Sequence, residues 1–588
     1  MSNPDPASIH GSRSGAWLVR YALEQLPVSH TFGIPGVHTT EIYDELGRSE
    51  RIHPVLVTHE CGAAFMSDAL SRTGGGRIGV LLVVPAAGIT HAMSGIGEAF
   101  LDGIPLLILS GGIRSDTPFG YQLHELDQMA LVKPITKGAW RVERQSDIVP
   151  AIFEAYRVAT CGTPGPVLVE IPANLQLFRG PVGEIPTFKP LEPPSVASSA
   201  DLDRAVDLLA TAESPGLFVG WGARGVCAEI QRIAERLGAP VATTLQGMGA
   251  FPGDHPLHVG MGFGSASVPA AERAFRNCDV LLAVGTRFGE IPTGSFGCRV
   301  PAHLIHVDIN PEVFHRNYKA EVALEGDARQ VIPGLLARLE ARVPDAPGRR
   351  AARAATIAVD KAAYREAWRA HLTDRVNPCL LLEALRRRLP DDAILVVDDG
   401  NHTFLAAELF EVRGTGSFIS PTDFNAMGYC VPGAIGAKLA NPDRVVVGLA
   451  GDGAFLMTGM ELLTAAREGV GLVILVFHDG ELSQISQGQE IPYNRKTCTV
   501  LGALRLDGMA LATGSDYVAI TDNSGIEEGL AKALAAAAAG RPVVVDVHVD
   551  YSKRTRFTEG VVQTVLKRFP LGDKARFIGR ALWRKVTG

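Results

Sequence analysis

Several common features are scarce or missing in this chain. Its eight cysteines are scattered, with no CxxC pair among them. That leaves no spacing for a structural zinc site and suits free thiols in a reducing cytoplasm. There is no surplus of positive charge: 56 Lys and Arg stand against 63 Asp and Glu, a net charge of −7. Bulk neutralisation of nucleic-acid phosphates is thereby excluded. No uninterrupted apolar run is long enough for a spanning helix, and the polar stretch from Met1 to Ser14 lacks the apolar core of a signal peptide. The expectation is a cytoplasmic protein with a frayed N-terminus. Its 588 residues are enough for about three or four domains, each with its own core.

The most informative stretch runs from Arg444 to Glu481. Arg444 to Ala450 is apolar, rich in β-branched residues and of strand length, and it stops at Gly451-Asp452-Gly453. Thr458, with Glu461 three residues later, has the form of a capping box. A helix is expected to start there, carry Leu462, Leu463 and Ala466 inward and end near Gly469. A second strand, Leu472 to Phe477, ends at His478-Asp479-Gly480. The strands of a β-α-β unit run parallel, so Asp452 and Asp479 fall just past carboxyl ends on one edge of a sheet. Two carboxylates on one edge suit Mg²⁺, which takes oxygen ligands from carboxylates and phosphates, and glycines let backbone N–H groups approach a phosphate. A lone GDG is an ordinary turn; the second acidic turn, 27 residues after the first Asp, gives it weight.

With both turns in view, the stretch resembles the thiamine diphosphate (ThDP) enzymes, which carry GDG followed at a similar interval by Asn-Asn. This chain has His478-Asp479 there instead. The resemblance implies Asp452, Asp479 and the backbone carbonyl of Glu481 as metal ligands, with Gly451 and Gly453 on the cofactor. A strand followed by His59-Glu60-Cys61-Gly62-Ala63-Ala64 resembles the place where these enzymes carry the glutamate that contacts the aminopyrimidine, and Phe32-Gly-Ile-Pro-Gly36 precedes it. Glu60 and Gly36 are therefore implied cofactor contacts, although a first-turn Glu is also what a helix dipole favours. Pro85-Ala86-Ala87-Gly88 and His91 stand where the family often has GPG and Asn. Met427 aligns with the apolar residue that props the bent cofactor; ordinary core packing is its other reading. Tyr121 to Gln128 is similar to a stretch of acetolactate synthases, with His124 at the usual Gln, either an active-site group or the cap of a turn.

The organisation follows the acetolactate synthase-like branch: an α/β protein of three doubly wound parallel-sheet domains. Residues 1–14 are expected to be disordered, 15–180 to form the pyrimidine-binding domain, and 181–198 a linker, since Gly180 to Pro194 holds five prolines. Residues 199–342 form the central domain, 343–376 an Arg/Ala-rich helical linker, and 377–550 the Mg-diphosphate domain. FAD, ADP or CoA binds such a central domain in relatives. Gly285-Thr-Arg-Phe288 resembles the FAD-binding Gly-x-Arg-Phe, but the acidic pair and Arg that normally follow are replaced by Gly289-Glu-Ile-Pro292, which argues against FAD. The extension 551–588 carries ten Lys and Arg against Glu559 and Asp573. Val561, Val562, Val565 and Leu566, and then Phe577, Ile578, Leu582 and Trp583, would give two amphipathic helices with basic rims, suited to a lid over the site or to peripheral contact with an anionic membrane.

By resemblance the reaction is the decarboxylation of a 2-oxo acid with ligation of the product. A 2-hydroxyacyl-CoA lyase, a simple 2-oxo-acid decarboxylase and a non-catalytic scaffold are the alternatives. Phe32 to His38 and Leu123 to Gln128 resemble decarboxylases of larger oxo acids. The resemblance further implies a homodimer or homotetramer with the site between subunits.

Overall fold

The computed structural model describes residues 11–190 and 197–587. Short apolar runs such as Gly79–Val83 and Val543–Val547 are buried along their whole length, as strands of helix-covered parallel sheets must be. They assemble into three six-stranded sheets. In the first, His53–Leu56, His30–Gly33, Gly79–Val83, Leu106–Gly112, Pro166–Pro172 and Gly138–Arg141 lie side by side, every pairing parallel. The third repeats that order with Phe418–Ile419, Ile394–Val397, Val446–Gly451, Val473–Phe477, Val543–Val547 and Asp516–Ile520. The central sheet runs His258–Met261, Val241–Thr243, Pro215–Val219, Val280–Val284, His303–Asp308, Val322–Glu325, the strand order of dinucleotide-binding folds.

The first and third domains are joined through helices Glu60–Thr73 and Cys430–Ala440. A Cβ on Gly436 would sit 2.2 Å from the Met66 carbonyl oxygen, so the close crossing requires glycine there. Beside it Arg72, fully buried, pairs with Asp68 at 2.6 Å and Asp102 at 2.9 Å, and Tyr429 donates to Asp68 at 2.6 Å. Removing any one partner would strand a buried charge.

Four expectations need correction. Gly11–Ser14 is not frayed: it pairs antiparallel with Arg179–Val182, which also removes the start of the expected linker; residues 1–10 and 191–196 lie outside the described residues. The helix after the first acidic turn starts at Asp452, not at Thr458. Thr458 donates to the Gly428 carbonyl and Glu461 reaches into the first domain, so neither side chain caps, and Leu463 points outward, 41% exposed. The segment Pro347–Arg369 is helical but more than a surface linker, because Trp368 is fully buried against the third domain. The helix Arg556–Arg568 buries Phe557, Gly560 and Thr564, while Val562 and Val565 face outward. Phe557 stacks on Phe404 with centroids 4.1 Å apart, and Gly560 abuts Ala266; these contacts choose the docked face. A last helix, Leu571–Thr587, packs against Ser483–Tyr493. The side chains of Phe577, Ile578, Leu582, Arg584 and Lys585 lie outside the described residues.

Candidate active site

Asp452 opens its helix directly after strand Val446–Gly451, and Asp479 follows the neighbouring strand Val473–Phe477, so both stand on one carboxyl edge. Asp452 is 1% exposed. Its Oδ1 accepts the Gly453 N–H at 2.8 Å, and its Oδ2 accepts those of Gly480 at 2.7 Å and Asp479 at 3.2 Å. Asp479 accepts from the Ser483 hydroxyl and, at 3.4 Å, from the Glu481 N–H. Burial, and then the charges of Asp452 and Glu481, push the Asp479 carboxyl up to about 6. Burial likewise raises Asp452. Crowded carboxylates of this kind are relieved by a cation, and Oδ1 of Asp452 and both oxygens of Asp479, each accepting a single hydrogen bond, keep a lone pair for one. The donor set is all oxygen, as Mg²⁺ prefers. The Glu481 side chain turns away to Lys496 at 2.7 Å, leaving only its carbonyl for a metal.

The three glycines of the motifs are closely packed. A Cβ on Gly453 would meet Leu482 at 2.4 Å, one on Gly36 would meet Val84 at 2.5 Å, and one on Gly451 would lie 3.2 Å from His402. A side chain at any of them would have to displace its neighbour. Met427 reaches over the first turn, its methyl 3.7 Å from the Cβ position of Gly453. His478 bonds Asp546 at 2.9 Å, and that bond raises its pKa.

Glu60 heads helix Glu60–Thr73 on the carboxyl edge of the first sheet, 7% exposed, with Oε2 3.0 Å from Nδ1 of His91. The turn before it is braced by Glu461, which accepts the N–H of Thr58 at 3.2 Å and of His59 at 3.0 Å. His124, in a left-handed backbone conformation with φ of 67°, lies 3.2 Å from Nδ1 of His38. Burial and then His124 lower the His38 pKa. Sequence reasoning did not find the bond from His91, the brace from Glu461 or the partner of His478. Each pairs residues far apart in the chain, and only the unusual identities of His91 and His478 gave a signal.

A cavity of about 1090 Å³ separates the first and central domains, lined by Trp221, Gly285, Arg287, Asp308, Gly326 and Arg157 among others. Arg287 is already committed to Asp423 at 2.6 Å and to the Leu101 carbonyl.

Comparison with known proteins decides what this architecture is. The thiamine pyrophosphate enzyme N-terminal TPP binding domain matches residues 13–131, the central domain 202–335 and the C-terminal TPP binding domain 398–547. The chain belongs to the thiamine pyrophosphate enzyme family. It is 33% identical over 550 residues to the acetolactate synthase large subunit of Corynebacterium glutamicum, covering 91% of this chain and 86% of that protein. It is 30% identical to the acetolactate synthase isozyme 3 large subunit of Escherichia coli, over 92% of this chain and 95% of the other. The acetolactate synthase of Mycobacterium bovis is 33% identical over 82% of this chain and 78% of its own length. This is a ThDP-dependent enzyme of the acetolactate synthase-like branch, with Mg²⁺ the metal usual for the family. Among the described residues no helix is long and apolar enough to cross a membrane.

Proposed function

We propose that the enzyme decarboxylates a small 2-oxo acid and joins the product to a second carbonyl compound, in the cytoplasm. The observation that carries this is the pair of acidic turns tied edge to edge within a chain similar to acetolactate synthase large subunits over nearly its whole length. In this reading Asp452, Asp479 and the carbonyl of Glu481 hold Mg²⁺ and through it the diphosphate. Bound ThDP supplies a carbanion and an electron sink. Met427 supports the cofactor from the apolar side, and Glu60 holds and moves a proton at the pyrimidine ring, work typically worth roughly 10²–10⁴-fold in rate. Gly36, Gly451 and Gly453 shape the backbone around these groups.

Two subunits complete the site, as a homodimer or homotetramer. Leu456, Met457, Met460 and Leu463, just after Asp452, are 44%, 58%, 47% and 41% exposed, an apolar face that supports burial against a second copy. If a nucleotide such as FAD, ADP or CoA binds as well, the cavity beside Gly285 and Asp308 has the volume to receive it. The helix Leu571–Thr587, resting on Ser483–Tyr493 close to the second acidic turn, supports a lid rather than a membrane anchor.

A second reading, simple decarboxylation of a larger oxo acid, is favoured by one observation. His38 and His124, from the two decarboxylase-like stretches, meet at 3.2 Å above the carboxyl edge of the first sheet, where His124 would protonate the product instead of letting it be ligated. Product analysis with pyruvate and with longer 2-oxo acids separates the two. Acetohydroxy acids support ligation; free aldehyde alone, abolished in His124→Ala, supports the second.

A further inference from the structure

Glu60 is held from one side only. Its side chain is 10% exposed, and its Oε2 takes the bond from Nδ1 of His91 at 3.0 Å. Among the described residues no hydrogen bond from another protein group to Oε1 is found. The Tyr43 hydroxyl, which feels the Glu60 charge, donates instead to the Leu82 carbonyl at 3.0 Å. His91 lies in the first turns of helix Ala87–Asp102 and is 52% exposed in its side chain. It is nonetheless ordered by its neighbour. The ring of His59 stacks on it with centroids 4.8 Å apart and planes 25° apart, and His59 is itself anchored by accepting the Cys61 N–H at 3.1 Å.

We propose that His91, backed by the His59 ring, is the positioning residue of Glu60. It occupies Oε2 and so presents Oε1 to the cofactor's ring. As donor to a carboxylate oxygen in this contact, His91 carries its proton on Nδ1. A buried carboxylate with no such partner would be free to rotate and exchange its two oxygens; His91 removes that freedom. The inference rests on the reading of Glu60 as the residue at the pyrimidine.

The test uses the full-length protein. With ¹⁵N-labelled histidine and no cofactor added, the His91 signals should report the Nδ1–H form in the wild type and lose that preference in Glu60→Ala. With ThDP and Mg²⁺, His91→Leu should lower kcat by about 10- to 100-fold through misplacement of Glu60. ThDP affinity should stay unchanged, because the diphosphate site proposed at Asp452 and Asp479 lies in the third domain. His91→Asn, which can still donate a hydrogen bond, should recover most of the loss. The proposal is overturned if the His91 tautomer is indifferent to Glu60, or if His91→Leu turns over like the wild type while Glu60→Gln does not. Should Glu60→Gln itself keep full turnover, the assignment of Glu60 fails first and takes this inference with it.

Discussion

The backbone N–H of Gly480 donates to Oδ2 of Asp452 at 2.7 Å, so the first acidic turn holds the second in place with protein atoms alone. The cost of this arrangement is electrostatic. Asp479 sits partly buried beside Asp452, and its carboxyl is pushed up to about 6.

Because that pKa is raised on folding, the unfolded chain sheds this proton first. Stability contributed by the group falls as pH rises from about 4 to about 6 and is fully lost above that window. In metal-free protein at pH 7.5, Asp479→Asn should therefore be more stable than the wild type, by on the order of 2 kcal/mol. Mg²⁺ should raise the wild-type Tm and leave the variant's nearly unchanged. Thermal unfolding across pH 4–8 with and without Mg²⁺ checks this, and equal Tm values for the two proteins at pH 7.5 without metal would refute it.

ThDP should bind only with Mg²⁺ or a similar hard cation. Asp452→Ala should abolish retention, since it removes a proposed metal ligand and also frees the N–H groups of Gly453, Asp479 and Gly480. Calorimetry that found the same ThDP affinity with and without Mg²⁺ would count against the site.

Glu60→Gln should keep ThDP bound, because the proposed diphosphate site lies in the third domain, yet cost roughly 10²–10⁴-fold in turnover. Proton exchange at the thiazolium carbon, followed by NMR, should slow in step. Unchanged exchange would reduce Glu60 to a helix-start residue.

Glu461→Ala should leave the Thr58 and His59 N–H groups without acceptors and cost about 1–3 kcal/mol. Turnover should fall too, since the turn it braces carries Glu60. A drop in Tm with normal kcat would show that the brace is structural only.

Removing the chain from 570 onward should leave Tm close to that of the wild type and raise substrate KM if the last helix is a lid. Loss of salt-sensitive liposome binding in place of a KM change would identify a membrane contact. Phe557→Ala should instead destabilise by about 3–5 kcal/mol, because its ring is stacked on Phe404 and 6% exposed. The two variants therefore separate the docked helix from the covering one.

Local pattern was enough for the strands Val446–Gly451 and Val473–Phe477 and for the two acidic turns that end them. An apolar run buried on both faces and a glycine turn are written in consecutive residues. The same holds for Glu60 at the head of its helix. The short edge strands Gly138–Arg141 and His258–Met261 left no such signature, being brief and half-exposed. Thr458 and Glu461 show where sequence reasoning ends. Their spacing is that of a capping box, but each side chain found a tertiary partner, Gly428 in one case and the Thr58-His59 turn in the other. A local cap is worth about 1 kcal/mol, and buried N–H groups in need of an acceptor outweigh it. His91 and Glu60 meet for the same reason. They stand on separate helices, and only the packing of those helices over one sheet edge brings an imidazole to the carboxylate.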